Sequence, residues 1–214
     1  MTIELHGYRY SVYHRVARVA LEEKGVAHDR VEVNPFAPDV PADYLAMHPF
    51  GRVPTLVHDG FVLHETCAIT AYVDEMFAGA SLQPDDARAR ARMRQIVSIV
   101  DGYGYRPMVR QVFSQRVFGP ANGRPADESE IAQGLAASAT VLRALEGLAA
   151  DAAWLTGERF TLADIHLAPM MAYFAAAPEG AALLAGHRRL SAWWRRAAAR
   201  ASTIATEPGL PGAG

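Results

Sequence analysis

The sequence predicts an α/β domain followed by an all-helical domain. In the first 80 or so residues, short apolar strands alternate with amphipathic helices in the order β-α-β-α-β-β-α. The stretch "SLQPDDAR", residues 81–88, then interrupts this order, and beyond it apolar residues recur only at helical spacing. We therefore predict domains at residues 1–80 and 86–205, followed by a disordered tail at 206–214.

The first three elements form a strand-helix-strand unit. "TIELHG" is a strand that ends at Gly7, and the helix "SVYHRVARVALEEKG" follows with Ser11 at its N-cap and Gly25 just past its end. "AHDRVEVN" is the second strand, and such a crossover predicts that the two strands are parallel. Arg15 is interpreted as a charge on the helix surface. A short helix, "PADYLAMHP", comes next.

The stretch "FGRVPTLVHDGFVLHET", residues 50–66, predicts an antiparallel hairpin turning at Asp-Gly. Pro54 would be the first residue of its strand, a position at which proline is tolerated. Only about 5–6% of X-Pro bonds are cis, so the dipeptide alone favours a trans bond. A cis bond would instead leave the main-chain groups of Val53 facing outward, where an extended peptide could pair with them.

Glu65 and Thr66 open the helix "ETCAITAYVDEMFAG". Thr66 could serve only as an N-cap or first-turn residue. Alternatively, its hydroxyl and the free N–H groups of the helix could hold a ligand carboxylate while Glu65 accepts a hydrogen bond from an amine. Local sequence leaves both interpretations open.

The second half contains one long helical pattern, residues 87–118, in which Gly102, Gly104 and Pro107 predict a bend. Three more helices follow: "EIAQGLAASATVLRALEGL", "TLADIHLAPMMAYFAAA" and "HRRLSAWWRRAAARA". The second begins with a capping box formed by Thr161 and Asp164.

Composition excludes several classes of protein. The net charge is −2, which does not favour nucleic acid or acidic membranes as partners. No apolar run is long enough to span a bilayer and the N-terminus lacks a signal-peptide core, so we expect a cytoplasmic protein. The single cysteine, Cys67, excludes an internal disulfide, and the eight histidines show no metal-ligand spacing.

The chain resembles the cytosolic glutathione S-transferases in three stretches, which are "SVYHRVARVALEEKG", "HPFGRVPTLVHDGFVLHETCAITAYVDE" and "LTGERFTLADIHLAPM". The resemblance is to bacterial, serine-type, theta/phi-like members, and it implies a thioredoxin-like N-terminal domain, glutathione as co-substrate and a homodimer. The implied reaction joins the glutathione thiolate to a small hydrophobic electrophile. Glutathione-dependent peroxidase, disulfide reductase, isomerase or dehalogenase activity is the alternative, as is a non-catalytic scaffold.

The resemblance also implies site residues. Ser11 matches the serine whose hydroxyl donates to the glutathione sulfur, although Val12 stands where many relatives have proline, and Tyr8 is the alternative. The glutathione-binding residues implied are Arg52, Val53, Pro54, Glu65 and Thr66, with a cis Val53-Pro54 bond. The helix containing Tyr103, Tyr105 and Arg106 would border the electrophile pocket.

Overall fold

The computed structural model describes residues 1–211, which fall into two compact units, Met1–Ser81 and a second unit that begins at Leu82. The first unit contains, in chain order, β1 (Ile3–Gly7), α1 (Val12–Glu23), β2 (Asp29–Glu32), α2 (Ala42–Met47), β3 (Thr55–His58), β4 (Phe61–His64) and α3 (Thr66–Met76). This is the order that the sequence predicts.

The four strands form one mixed sheet in the order β2-β1-β3-β4. β2 is parallel to β1, whereas β3 is antiparallel to both β1 and β4, as the crossover and the hairpin require. Leu5 and Leu56 lie opposite each other in the register and are fully buried. Val16 of α1 and Ile69 of α3 are also fully buried, because these two helices pack together.

The second unit is helical. Its elements are α4 (Ala87–Ile99), a π-helical segment (Val100–Phe118), α5 (Gly119–Ala121), α6 (Glu128–Leu148), α7 (Leu162–Ala176), α8 (Pro178–Ala185), α9 (Arg188–Ala198) and α10 (Ala201–Ala205). The fold class predicted from the sequence, α/β followed by all-α, is therefore confirmed. The sequence did not reveal α8, which begins with Pro178 immediately after α7 ends.

The sequence predicts a bend at Gly102, Gly104 and Pro107, and what the structure shows in this region is a change in helical winding. From Val100 onward the helix widens to π geometry, and Pro107 lies buried within that segment. Proline has no N–H to donate in either winding, so one hydrogen bond of the helix is missing at this position. The chain nevertheless remains helical through the proline.

The capping box at the start of α7 is confirmed, and Asp164 does more than cap the helix. It is fully buried, and its Oδ2 accepts hydrogen bonds from the Thr161 N–H at 2.8 Å and the Thr161 hydroxyl at 3.0 Å. Its Oδ1 accepts from the Leu155 N–H at 3.0 Å and from Nε1 of Trp193 at 2.8 Å. One carboxylate therefore joins α7, α9 and the preceding loop.

Within the described residues, no single helix is long and apolar enough to cross a membrane. α7 and α8 meet the criterion only as a pair, and they meet at a bend of 119°.

The start of the predicted disordered tail is packed against α10. Thr206 is fully buried and its hydroxyl donates to the carbonyls of Ser202 and Thr203, at 2.9 and 3.2 Å. The last part of that tail, residues 212–214, lies outside the described residues.

Asp164→Asn should lower the free energy of unfolding by about 2 kcal/mol. The better orientation of the new amide turns its NH₂ group toward the Thr161 N–H, and a buried donor left unsatisfied costs about 1–3 kcal/mol; the Thr161 hydroxyl can rotate and accept instead. Urea denaturation measures the loss. The matched control is Asp127→Asn, because Asp127 is an exposed N-cap that accepts from Ser129 and Glu130 N–H, and asparagine caps equally well. Equal losses in the two variants would contradict this account of Asp164.

Candidate active site

Three segments of the chain meet at one end of the sheet. β1 ends there at Gly7, β3 begins there at Thr55, and β4 ends there at His64, as the pairings of His6 with Thr55 and of Thr55 with His64 show. Neighbouring strands are ~4.8 Å apart, so the end of β4 lies about 10 Å from the end of β1. The chain segments next to these three strand ends contain Ser11 and all the glutathione-binding residues that the resemblance implies. The electrophile-pocket candidates lie in the second unit instead.

Ser11 is the N-cap of α1, as its position in the sequence predicts. Its Oγ accepts a hydrogen bond from the N–H of His14 at 3.3 Å, and the side chain is half-buried. Because the oxygen accepts in this contact, the hydroxyl proton remains available for a ligand atom. The helix N-terminus also favours a negative charge beside it.

The turn before Ser11 is fixed through the carbonyl oxygen of Tyr8. That oxygen accepts from the Ser11 N–H at 2.8 Å and lies 3.2 Å from Nδ1 of His14. His14 is buried, and burial, assisted by the nearby charge of Arg18, lowers the pKa of its imidazole to about 4. The ring is therefore neutral at pH 7, and since a carbonyl can only accept, Nδ1 carries the proton.

Tyr8, the alternative thiol-activating residue, is half-buried in the same turn. Its ring makes edge contacts with Tyr10 and Phe36, at centroid distances of 5.4 and 6.0 Å. The tyrosine side chain thus belongs to an aromatic group on the loop, while its main chain supports Ser11.

The Val53-Pro54 bond is cis, as the resemblance implied. Before it, the hydroxyl of the buried Tyr44 donates to the Arg52 carbonyl and lies 3.1 Å from the Thr55 hydroxyl, so α2 holds both sides of this segment. Among residues 1–211, Val53 makes no main-chain hydrogen bond. Its N–H and C=O can therefore pair with an extended ligand.

Glu65 connects β4 to α3 in an unusual backbone conformation. Its φ is +72°, which is uncommon for a residue other than glycine, and its side chain is exposed. Such a conformation costs on the order of 1–3 kcal/mol and recurs at functional sites. Thr66 follows as the first helical residue and is buried, so it is the first-turn residue that the sequence allowed. The first N–H groups of α3 have no partner within the helix.

A pair of histidines lies beside this edge, and sequence reasoning assigned it no role. The ring of the buried His48 lies 4.7 Å from that of His64, and Phe50 contacts both rings. Burial, reinforced by the proximity of His64, lowers the pKa of His48. The two residues are 16 positions apart in the sequence, and only the hairpin register brings them together.

Arg52 is exposed in the loop before β3, as a residue that reaches a ligand carboxylate would be.

Arg15 is only 1% exposed, so the interpretation of Arg15 as a charge on the helix surface was wrong. The reason is that α1 is covered on several sides, and nearly all of its residues from Val12 to Leu21 are buried.

The electrophile-pocket candidates lie in the π-helical segment of the second unit. Tyr103 is 70% exposed, Arg106 is exposed and Tyr105 is half-buried. The second unit also contains a pair that the sequence did not indicate, in which Nδ1 of the fully buried His166 lies 3.0 Å from Oδ2 of Asp101. This pair joins the π-helical segment to α7.

A four-stranded mixed sheet in the order β2-β1-β3-β4, with helices α1 and α3 packed together and a helical unit following in the chain, is the architecture of a thioredoxin-like domain joined to an all-helical domain. The N-terminal domain of glutathione S-transferases matches residues 5–81, and the C-terminal domain matches residues 105–201. The chain belongs to the glutathione S-transferase family.

Similar proteins agree with this assignment over nearly the whole chain. Glutathione S-transferase F13 of Arabidopsis thaliana is 31% identical, covering 98% of this chain and 97% of that protein. Glutathione S-transferase 3 of Zea mays is 30% identical, covering 92% and 89%. Among solved structures, glutathione S-transferase III in apo form superposes with a TM-score of 0.86 at 29% identity, covering 99% and 98%. A glutathione S-transferase of Rhodospirillum rubrum superposes with a TM-score of 0.80 at 26% identity, covering 96% and 91%.

The low pKa of His14 predicts that the fold loses stability in mild acid. The unfolded chain takes up a proton near pH 6.5, whereas the folded chain does not until about pH 4. This contribution is fully present above pH 6.5 and is lost as the pH falls toward 4; between pH 7.5 and 5 it amounts to about 2 kcal/mol. Urea denaturation at the two pH values, compared with the same difference for His14→Gln, isolates it. An unchanged pH dependence in the variant would refute the assignment.

Proposed function

We propose that the Met1–Ser81 unit binds glutathione in an extended conformation and that the enzyme adds its thiolate to small electrophiles. The observation that carries the proposal is the row of three chain segments at one end of the sheet. Three extended residues span about 10 Å, which is the distance across β1, β3 and β4. A short peptide can therefore contact all three segments at once.

Each part of glutathione has a chemically suitable partner along this row. The γ-glutamyl carboxylate is held by the first N–H groups of α3 and the Thr66 hydroxyl, and Glu65 accepts from the amine. The cysteinyl main chain pairs with Val53, whose main-chain groups make no hydrogen bond within the described part of the chain. Arg52 reaches the glycine carboxylate, and the sulfur faces Ser11 at the N-terminus of α1.

Thiol activation follows from a hydrogen bond that only the thiolate accepts well. A free thiol has a pKa near 8.5 and is mostly protonated at pH 7. A charge-assisted bond from the Ser11 hydroxyl, worth about 1.5–3 kcal/mol, would lower that pKa by about one to two units. The dipole of α1 acts in the same direction. The thiolate then attacks the electrophilic carbon, and the leaving group departs or an added proton completes the product.

The finer assignments belong to the same proposal. We retain thiol activation by serine rather than tyrosine and a theta/phi-like class of bacterial origin. We also retain the domain limits 1–80 and 86–205. The same holds for a cytoplasmic location and the absence of metal, nucleic-acid and membrane partners. Tyr103, Tyr105 and Arg106 would contact the electrophile. Turnover assays with electrophiles, peroxides and mixed disulfides distinguish conjugation from the alternative reactions, and glutathione binding without turnover would indicate a scaffold.

The homodimer is supported by exposed apolar side chains on the first unit. Phe50, Phe61 and Met76 are 69%, 52% and 54% exposed, and Val62 is also exposed. Large apolar side chains that remain in water are typical of surfaces that a partner covers, and we propose a second copy of this chain as that partner.

Ser11→Ala should leave the glutathione dissociation constant nearly unchanged and slow turnover about tenfold or more. Both ends of the peptide are held elsewhere, so only the thiolate loses a hydrogen bond, and one pKa unit corresponds to about 1.4 kcal/mol. Titration of thiolate absorbance in the binary complex should show the thiol pKa raised by about one unit or more. Tyr8→Phe is the control. If the pKa rises in that variant and not in Ser11→Ala, the tyrosine is the activating residue.

Thr66→Val should weaken glutathione binding about tenfold while leaving kcat at saturating glutathione within twofold. Valine preserves the shape of threonine, so the loss is the hydrogen bond to a carboxylate, worth about 1.5–3 kcal/mol. Thr70→Val, the same substitution one turn later in α3, is the matched control, because the Thr70 hydroxyl donates to the carbonyl of Cys67 at 3.3 Å within the helix. Calorimetric titration that finds equal affinities for both variants would remove Thr66 from the site.

A further inference from the structure

We propose that His14 is a positioning residue for the reaction: its neutral imidazole holds the Tyr8 carbonyl and thereby places the Ser11 hydroxyl against the glutathione sulfur. The inference rests on the proposed function of Ser11. It assigns to His14 no contact with substrate.

His14 holds the Ser11 turn at two points. Its main-chain N–H donates to Oγ of Ser11 at 3.3 Å, which fixes the side-chain oxygen. Its ring reaches back to the Tyr8 carbonyl at 3.2 Å, and that carbonyl also accepts from the Ser11 N–H at 2.8 Å. Movement of the Tyr8 peptide would therefore move both the main chain and the side chain of Ser11.

The ring itself has little room to move. A Cβ atom on Gly7 would lie 2.6 Å from Cγ and 2.7 Å from Cδ2 of His14, so the imidazole packs directly against the main chain where β1 ends. Real Cβ atoms essentially never approach so closely, and glycine at this position is what admits the ring. With 3% of the residue exposed, His14 is confined on all sides.

Within residues 1–211, the imidazole of His14 has one satisfied and one unsatisfied nitrogen, and this difference indicates which contact requires histidine at this position. Nδ1 donates to Tyr8, whereas Nε2 is buried and has no hydrogen-bond partner among the described residues. An unsatisfied buried polar atom destabilises the fold, and a leucine or phenylalanine would fill the space without that penalty. Packing alone does not account for histidine here. The bond from Nδ1 to the Tyr8 carbonyl does.

This placement matters because thiolate stabilisation is directional. A hydrogen bond weakens steeply as its angle departs from linearity, and a displacement of about 1 Å in a reacting group can cost two orders of magnitude in rate. The Ser11 hydroxyl can rotate freely about its C–O bond, so its direction depends on where the turn places Oγ.

Two substitutions separate positioning from packing. The side-chain amide nitrogen of asparagine can occupy the place of Nδ1 and donate to the Tyr8 carbonyl, whereas that of glutamine corresponds to Nε2 and leaves the carbonyl without its second donor. In His14→Gln we expect the pKa of bound glutathione to rise by about one unit and kcat to fall about tenfold, with the glutathione dissociation constant within twofold of the parent. His14→Asn should keep the thiol pKa within about 0.3 units of the parent value. Equal shifts in both variants, or none in either, would overturn the proposal.

A double variant distinguishes failure of this inference from failure of the proposed function. If Ser11→Ala alone leaves the thiol pKa unchanged, Ser11 does not activate the thiol, whatever His14 does. If Ser11→Ala raises the pKa, adding His14→Gln should raise it no further, because the two substitutions remove the same interaction. Additive shifts would show that His14 acts independently of Ser11 and would refute the positioning role.

The tautomer of His14 tests the same inference in the parent protein, independently of how the variants fold. Nitrogen-15 NMR of the imidazole should show a protonated Nδ1 and an unprotonated Nε2 at pH 7. Protonation at Nε2 would exclude the bond to Tyr8, since both groups would then be acceptors.

Discussion

Two hydrogen bonds converge on the carbonyl oxygen of Tyr8, one from the Ser11 main chain and one from the ring of His14. The chain must change there from an extended strand to a helix within four residues, and in doing so it must leave one hydroxyl oriented toward a ligand. β1 ends at Gly7, and the His14 ring occupies the space that a side chain at this position would fill. The position of Ser11, the residue proposed to activate the thiol, is thus fixed by main-chain contacts, and most residues of α1 are buried.

The same end of the sheet determines which ligand fits. Because β3 is antiparallel to both of its neighbours, the exit from β1, the entry to β3 and the exit from β4 lie side by side. The three chain segments that continue from these ends offer different groups to a ligand. They are a helix N-terminus at Ser11, main-chain groups of Val53 that have no partner among residues 1–211, and a second helix N-terminus at Thr66. Strand spacing of ~4.8 Å makes this row about 10 Å long, which is the length of about three extended residues. A short peptide would therefore match the row in length, and its carboxylates would suit the helix N-termini.

The sequence revealed the features that depend on neighbouring residues. The element order, the Ser11 cap, the hairpin and the Thr161–Asp164 box are local patterns, and each is present in the structure. The cis bond came from resemblance, because the dipeptide alone favours trans. Burial of Arg15 and contact between His48 and His64 depend on how distant segments pack, and no window of sequence contains that information. The sequence did not reveal the contact between His14 and the Tyr8 carbonyl for a related reason. The position of His14 in the amphipathic pattern of α1 predicts burial, but it does not predict which group the ring contacts.

The choice between Ser11 and Tyr8 can be argued from where each group is anchored. Ser11 lies at the N-terminus of a buried helix, whose dipole favours a thiolate over a thiol. Its oxygen is held by a main-chain donor, so the position of Oγ is defined before any ligand arrives. The Tyr8 ring contacts the half-buried Tyr10 and the exposed Phe36 on the loop. Preorganised donors stabilise developing charge better than donors that must first be ordered. The main-chain bond that holds Oγ of Ser11 is therefore our reason for proposing the serine as the activating residue.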